Sequence, residues 1–320
     1  MKSDICSTPM SLTEKISDPL AWSILKVILN FSHFHELSTE DLEKENFVVH
    51  LEKISNAVRE KRRIHCILPA FPAKSSNRKK TLSHLPDMGE YLGLTRLNHL
   101  AEKISDIYEP GAKVTICSDG RVFGDLVRVS DKQVSEYSLG IKEMIDKHQL
   151  ESLNIYTLED YFGHSDFSKM RTSMTETYGK STDDIRRGVL SDPNERMLFN
   201  GIHRFMFEDL KEIIQGTSGS QLRKIAREVS YRVIQRSHAW SHLISLKFPD
   251  SVRLTIHPYH MSAGKIGMEL VPGESRWSTP WHNVVLKKGE KYFLTHRANA
   301  EAINARKILD RPGYFCYQMS

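Results

Sequence analysis

Two kinds of apolar spacing alternate along this chain. Ile64-His-Cys-Ile-Leu-Pro-Ala-Phe71 is a short, nearly unbroken apolar run ending in a proline-containing segment, the pattern of a buried strand running into a loop. Ala112 to Cys117 and Leu153-Asn-Ile-Tyr-Thr-Leu158 repeat it. Between them, Asp87 to Tyr108 carries Leu97, Leu100, Ala101, Ile104 and Ile107 at helical spacing and closes on Pro110-Gly111, and Asp131 to His148 is helical again. Strand, helix, strand, helix, strand predicts an α/β fold with a mainly parallel, Rossmann-like sheet flanked by helices. In such sheets ligands bind beyond the carboxyl ends of the strands, which directs attention to the loops after Ile64–Phe71 and Ala112–Cys117.

The rest of the chain arranges itself around that sheet. Asp18 to Glu60 reads as helices, broken by a polar, acidic insert at Ser38 to Glu45, so residues 1–62 are expected to form a helical layer packed on the core. Residues 63–320 are expected to be the catalytic domain, with a helical insertion around 165–246. There Leu222, Ile225, Ala226, Val229, Val233, Trp240, Leu243 and Ile244 trace one face of a long helix, and Arg223, Lys224, Arg227, Arg232 and Arg236 a basic face that reads as solvated. Val252 to His257, Met268 to Val271, Asn283 to Leu286 and Lys291 to Thr295 are expected as strands of a C-terminal β-containing extension, and Ala298 to Leu309 as a helix.

Composition narrows the class without choosing a function. The 320 residues, 39% hydrophobic and 27% charged, suffice for a large core. A net charge of +5 suits a small anionic substrate as well as nucleic acid. Cys6, Cys66, Cys117 and Cys316 are scattered, with no CxxC pair and no neighbouring His at ligand spacing, so no zinc site or disulfide framework is expected. The apolar segment Leu20 to Phe31 is too short to span a bilayer and lacks the features of a signal peptide. A cytoplasmic protein without membrane partners is expected.

Three constellations carry candidate chemistry. After the first strand, Lys74, Ser75, Asn77, Arg78 and Lys79 gather cations, a hydroxyl and an amide, a set suited either to a phosphate or to an ordinary exposed basic loop. No Gly-rich nucleotide signature accompanies them. After the second strand, Ser118-Asp119-Gly120-Arg121 and Asp125 place carboxylates around an arginine. Gly120 allows positive φ, and the pair suits an amino-acid zwitterion or a structural ion pair. Late in the chain come Arg253, His257, His260, Lys265, Trp281-His282 and His296-Arg297, with histidines able to move protons near neutrality and tryptophans able to wall an aromatic pocket or simply fill the core.

Taken together, Phe71-Pro-x-Lys-Ser-x-Asn-x-x-Lys, Pro86-Asp87-x-x-Glu90, Tyr108-x-Pro-Gly followed by Asp119-Gly-Arg-x-Phe-x-Asp125, and the later Ile256-His257-Pro258 and Trp281-His282 resemble the pyoverdine/dityrosine biosynthesis proteins over about Ile64 to Arg297. The resemblance implies an isonitrile synthase, a lyase that condenses an L-amino acid with ribulose 5-phosphate. The pentulose C2 would become the isonitrile carbon, with phosphate loss and C–C cleavage and without metal or organic cofactor. L-tyrosine is the expected amino acid, with L-tryptophan and a formyl-tyrosine-forming dityrosine branch as alternatives. On this reading Lys74, Ser75, Asn77, Arg78 and Lys79 hold the phosphate. Arg121 or Arg297 grips the amino-acid carboxylate beside Trp281, and Asp87, Glu90, Asp119, Asp125, His257 and His282 are the candidate acids and bases. A downstream oxygenase would consume the product, and a homodimer is expected from the prevalence of two-fold oligomers. The readings set against it are a sugar-phosphate or nucleotide transferase using the same loop, and a nucleic-acid-binding protein using the basic helix, which is not the expected partner class.

Overall fold

The structure, a computed structural model, describes residues 18–33, 43–163, 166–258 and 264–319. Its centre is a five-stranded, all-parallel sheet built from β1 (Ile64–Pro69), β2 (Ala112–Cys117), β3 (Leu153–Tyr156), β4 (Val252–Thr255) and β5 (Ile266–Gly267), in the order β3-β2-β1-β4-β5. After β1 the chain steps outward through β2 and β3, then crosses back to lay β4 on the other side of β1. The loops leaving β1 and β4 therefore diverge, opening the crevice in which doubly wound sheets bind ligands.

Helices cover the sheet because each carries a buried stripe. In the N-terminal layer, Asp18 caps the helix Pro19–Leu29, accepting from the N–H groups of Leu20 and Ala21, and Pro19 opens the helix where no N–H is needed. Ile24, Leu25 and Ile28 are fully buried, in the same core as Ile64, Cys66 and Leu68 of β1 and Leu94 and Leu97 of the helix Met88–Ser105. Each such side chain contributes about 1.5–3 kcal/mol by leaving water. The expected insert at Ser38 to Glu45 falls mostly outside the described residues. No helix among the described residues is long and apolar enough to cross a membrane.

The block between β3 and β4 is helical as expected, with Phe167–Tyr178, Thr182–Ser191, Pro193–Ile213 and the long Gly219–Lys247. Its basic face is not uniformly solvated: Arg236 is buried and grips both oxygens of Asp125, donating to Oδ2 at 3.0 Å.

The C-terminal part departs from the sequence reading in three places. Val252–Thr255 belongs to the central sheet, not to the extension; Arg253 interrupts its apolar run and disguises a fully buried strand. Met268 makes only an isolated bridge, to Ser32. The helix expected over Ala298 to Leu309 stops at Ala302, where Asn304 takes φ +56° and turns the chain into a strand. A four-stranded mixed sheet results, ordered β7-β6-β9-β8, from β6 (Val284–Lys288), β7 (Lys291–Thr295), β8 (Arg306–Asp310) and β9 (Tyr314–Gln318). Val285, Leu294 and Cys316 pack on Met88 and Val271, seating this sheet against the start of the helix Met88–Ser105.

Gly120 is required for space, not for positive φ, which it does not adopt. A Cβ there would lie 1.9 Å from the Pro72 carbonyl oxygen and 2.8 Å from Val134 Cγ1, because the loops after β1 and β2 touch at this point. Gly120→Ala should lower stability by about 1–3 kcal/mol through overpacking, read as a lower denaturant midpoint at unchanged slope. An unchanged midpoint would show that the two loops yield freely.

Candidate active site

A cavity of about 250 Å³ opens beyond the carboxyl ends of β1, β2 and β4. Its floor comes from the sheet: Pro72, Ala73 and Ser75 after β1, Asp119 and Gly120 after β2, Arg253 to His257 along and after β4. The helical block supplies the roof. Leu198, Ile202, Phe205, Met206 and Asp209 lie at helical spacing on Pro193–Ile213, and Val233, Ser237, Trp240 and Ser241 on Gly219–Lys247. Trp277, Trp281 and His282 close one side.

Asp119 lines this cavity. It follows β2 directly, its Oδ1 is buried without a hydrogen-bond partner among the described residues, and burial pushes its carboxyl up to about 7. A carboxyl poised near neutrality inside an apolar cavity is suited to taking up and returning a proton. His257 and His282 also line the cavity, and burial depresses both imidazoles to about 4, so they are neutral hydrogen-bonding groups at neutral pH. His282 Nδ1 lies 3.1 Å from Thr279 Oγ1 and its ring stacks on Phe205, while His257 leans on Trp277. Trp281 is buried against Phe71, with ring centroids 5.4 Å apart. His260 lies outside the described residues.

The other expected residues are elsewhere or already engaged. Lys74 is completely buried and turned away from the cavity, with its ammonium 2.9 Å from Asp87 Oδ2 and 2.8 Å from Glu90 Oε2 and donating to the Pro280 carbonyl at 2.9 Å. Its charge is matched inside the protein, where the sequence reading expected it to face a phosphate. Asp87 and Glu90 are likewise committed. Asp87 caps the helix Met88–Ser105 by accepting from the Gly89 N–H, Glu90 accepts from the Asp87 N–H, and Tyr137 Oη donates to Glu90 at 3.1 Å. The Asp-x-x-Glu spacing is a capping box. Two carboxylates share one cation there, and burial raises Glu90 to about 7.

Ser75 and Asn77 do converge on an anion, but it belongs to the protein. Ser75 Oγ donates to Asp209 Oδ2 at 3.1 Å, Asn77 Nδ2 to Oδ1 at 3.2 Å, and Lys80 Nζ approaches the same Oδ1 at 2.7 Å. Lys79 pairs at the surface with Glu212, and Arg78 donates to Thr81 Oγ1 at 3.4 Å. Arg121 is buried outside the cavity, bound to Glu159, Asp131 and Ser135 with its guanidinium over the Phe167 ring, so its charge is matched within the protein. Asp125 is held by Arg236 and Arg171, and Arg297 pairs with Glu301 on its own helix. Cys66 and Cys117 are buried and pushed up to about 12 by desolvation, which makes them poor nucleophiles.

Sequence reasoning missed Asp209, His238 and Ser241. Its available signal was polar residues interrupting helix faces that are otherwise apolar toward the sheet, and Arg253 shows the same signature inside a strand.

Residues 54–308 match the family described as pyoverdine/dityrosine biosynthesis protein. The chain is 41% identical to an L-tryptophan isonitrile synthase of Fischerella ambigua, over 84% of this chain and 82% of that one. It is 36% identical to an L-tyrosine isonitrile synthase of Pseudomonas aeruginosa, over 88% of each. The fold superposes on the crystal structure of the PvcA protein from Pseudomonas aeruginosa with a TM-score of 0.87 at 33% identity, covering 94% of this chain and all of the other.

Removing the buried ammonium would leave Asp87 and Glu90 facing each other without a counter-charge. Lys74→Met should cost about 3–5 kcal/mol at pH 8. A carboxyl whose folded pKa lies above its unfolded one loses stability as pH rises past the unfolded value, so the deficit should shrink toward pH 5 as the pair takes up a proton. Urea unfolding at the two pH values reads this; a deficit equal at both would deny that charge is its cause.

Proposed function

The chain belongs to the pyoverdine/dityrosine biosynthesis protein family, and on that premise we propose that it is an isonitrile synthase converting the amine of an aromatic L-amino acid to an isocyano group, with ribulose 5-phosphate as the carbon donor. The observation that carries this reading is the cavity at the sheet's switch point, which sets Asp119, raised to about 7, among aromatic walls. Joining an ammonium to a carbonyl requires the amine to lose a proton first, and expelling water from the adduct requires one to be returned. A single carboxyl near pKa 7 serves both steps. Neutral His257 and His282 would orient hydroxyls of the sugar, and Trp277, Trp281 and Phe205 would hold the aromatic side chain.

Of the two amino acids, the relatives at 41% and 38% identity are named for L-tryptophan and those at 36% and 35% for L-tyrosine. That ordering favours L-tryptophan as the first substrate to test and keeps L-tyrosine, the amino acid expected from the sequence, as the second. The carboxylate-binding role expected of Arg121 or Arg297 is left without an owner, since both are paired within the protein.

Incubating the chain with both amino acids in competition and with ribulose 5-phosphate labelled at C2 should give a labelled isocyano acid and one phosphate per turnover. Failure with both amino acids would sink the reading. In the active enzyme, kcat/KM should rise with pH through an apparent value near 7, because the deprotonated Asp119 accepts the first proton. Asp119→Asn should lower kcat about 10²–10⁴-fold and abolish that limb; a retained limb would assign the base elsewhere.

A further inference from the structure

One charged group in the cavity has its hydrogen bonding left incomplete among the described residues. Arg253 is 7% exposed, and of its guanidinium Nη2 donates to Ser241 Oγ at 3.0 Å while Nε and Nη1 are buried with no acceptor among the described residues. The other buried arginines, Arg121, Arg171 and Arg236, are all paired with carboxylates. Lys265 Nζ lies 3.5 Å from the same Ser241 oxygen. Desolvation lowers both cations, Arg253 to about 10, and the Lys265 charge is further opposed by Arg253. The facing groups are His257 and His238, both lowered by burial, and Glu195, whose Oε1 lies 3.7 Å from His238 Nε2 and exerts only a smaller, opposing pull on Lys265. A buried guanidinium with unused donors is costly unless an anion completes it.

We propose that Arg253, Lys265 and Ser241 form the anion seat of the cavity, and that it receives the phosphate of the sugar co-substrate; this assignment rests on the synthase reading above. A phosphate monoester brings about −1.5 to −2 charges and three acceptor oxygens, which matches two cations and a hydroxyl better than a carboxylate does. At the rival location, the loop after β1, Ser75 and Asn77 donate to Asp209, and Lys80 is ion-paired with Asp209 and Glu208, whereas Arg253 has no carboxylate partner among the described residues. Arg253 and Lys265 are thus binding residues that hold the departing phosphate and stabilise its developing charge.

Kinetics on the full chain separate the possibilities. Arg253→Met and Lys265→Met should each raise KM for ribulose 5-phosphate about tenfold or more, with KM for the amino acid moving less than about threefold. A rise confined to the amino acid would overturn the phosphate assignment in favour of a carboxylate seat. Binding is read without turnover by calorimetric titration of inorganic phosphate, which should bind the unaltered chain and lose about tenfold in affinity in Lys265→Met. No binding, or equal binding by both, overturns the proposal. Ser241→Ala, a smaller change, should also weaken phosphate binding several-fold and covers the case in which Arg253→Met does not fold. A chain that binds phosphate through these residues but converts neither amino acid would refute the synthase reading and leave the anion seat standing.

Discussion

A single ammonium group with no exposed surface, that of Lys74, organises the neighbourhood of the cavity. It draws together the loop after β1, the first turn of Met88–Ser105 and, from far along the chain, the turn at Pro280–His282. Burying a charge is expensive, and the cost is met only while both carboxylates and the carbonyl stay in place. The arrangement is therefore close to all-or-none. Ser75, whose N–H donates to the Trp281 carbonyl at 2.9 Å, and His282 take their places at the cavity wall because this hub fixes the backbone that carries them.

Around the hub, the protein satisfies some charges internally and leaves others open, and that division outlines the chemistry. In the loop after β1 Lys74 is matched by Asp87 and Glu90, Lys79 by Glu212 and Lys80 by Asp209; Arg121 is matched by Asp131 and Glu159, and Asp125 by two arginines. Among the described residues Asp119 and Arg253 have no such counter-ion, and both line the cavity. An acid raised by desolvation and a guanidinium with unused donors are each unfavourable in an empty folded protein, and each becomes favourable when the missing partner arrives on a ligand. The parallel sheet positions the loops bearing both groups, but the helical block completes the enclosure with Phe205, Asp209, Trp240 and Ser241. A sheet without that block would leave the same residues in water, where neither perturbation would survive.

Much of the architecture was legible in the chain because it depends on local pattern. Ala112–Cys117 is found as expected, and β1 and β3 within two residues of their expected ends, since unbroken apolar runs mark strands buried on both faces. The helices Met88–Ser105 and Asp131–Lys147 followed from their period and punctuation. The motif blocks that carry the family resemblance were also legible, and the loops after β1 and β2 that the sequence singled out do line the cavity. The Asp-x-x-Glu signal at Asp87 and Glu90 was present too, although its local meaning is a helix cap. By itself the sequence determined the fold class, the family and the loops from which a site must be built, because these reside in period, spacing and residue identity. Only the tertiary structure decided which polar residues remain available. Whether Lys74 faces a substrate or Asp87, whether Ser75 meets a phosphate or Asp209, and whether Arg253 is paired depend on which distant groups come within about 3 Å, and charge pairing at that distance is a property of packing that no local pattern encodes.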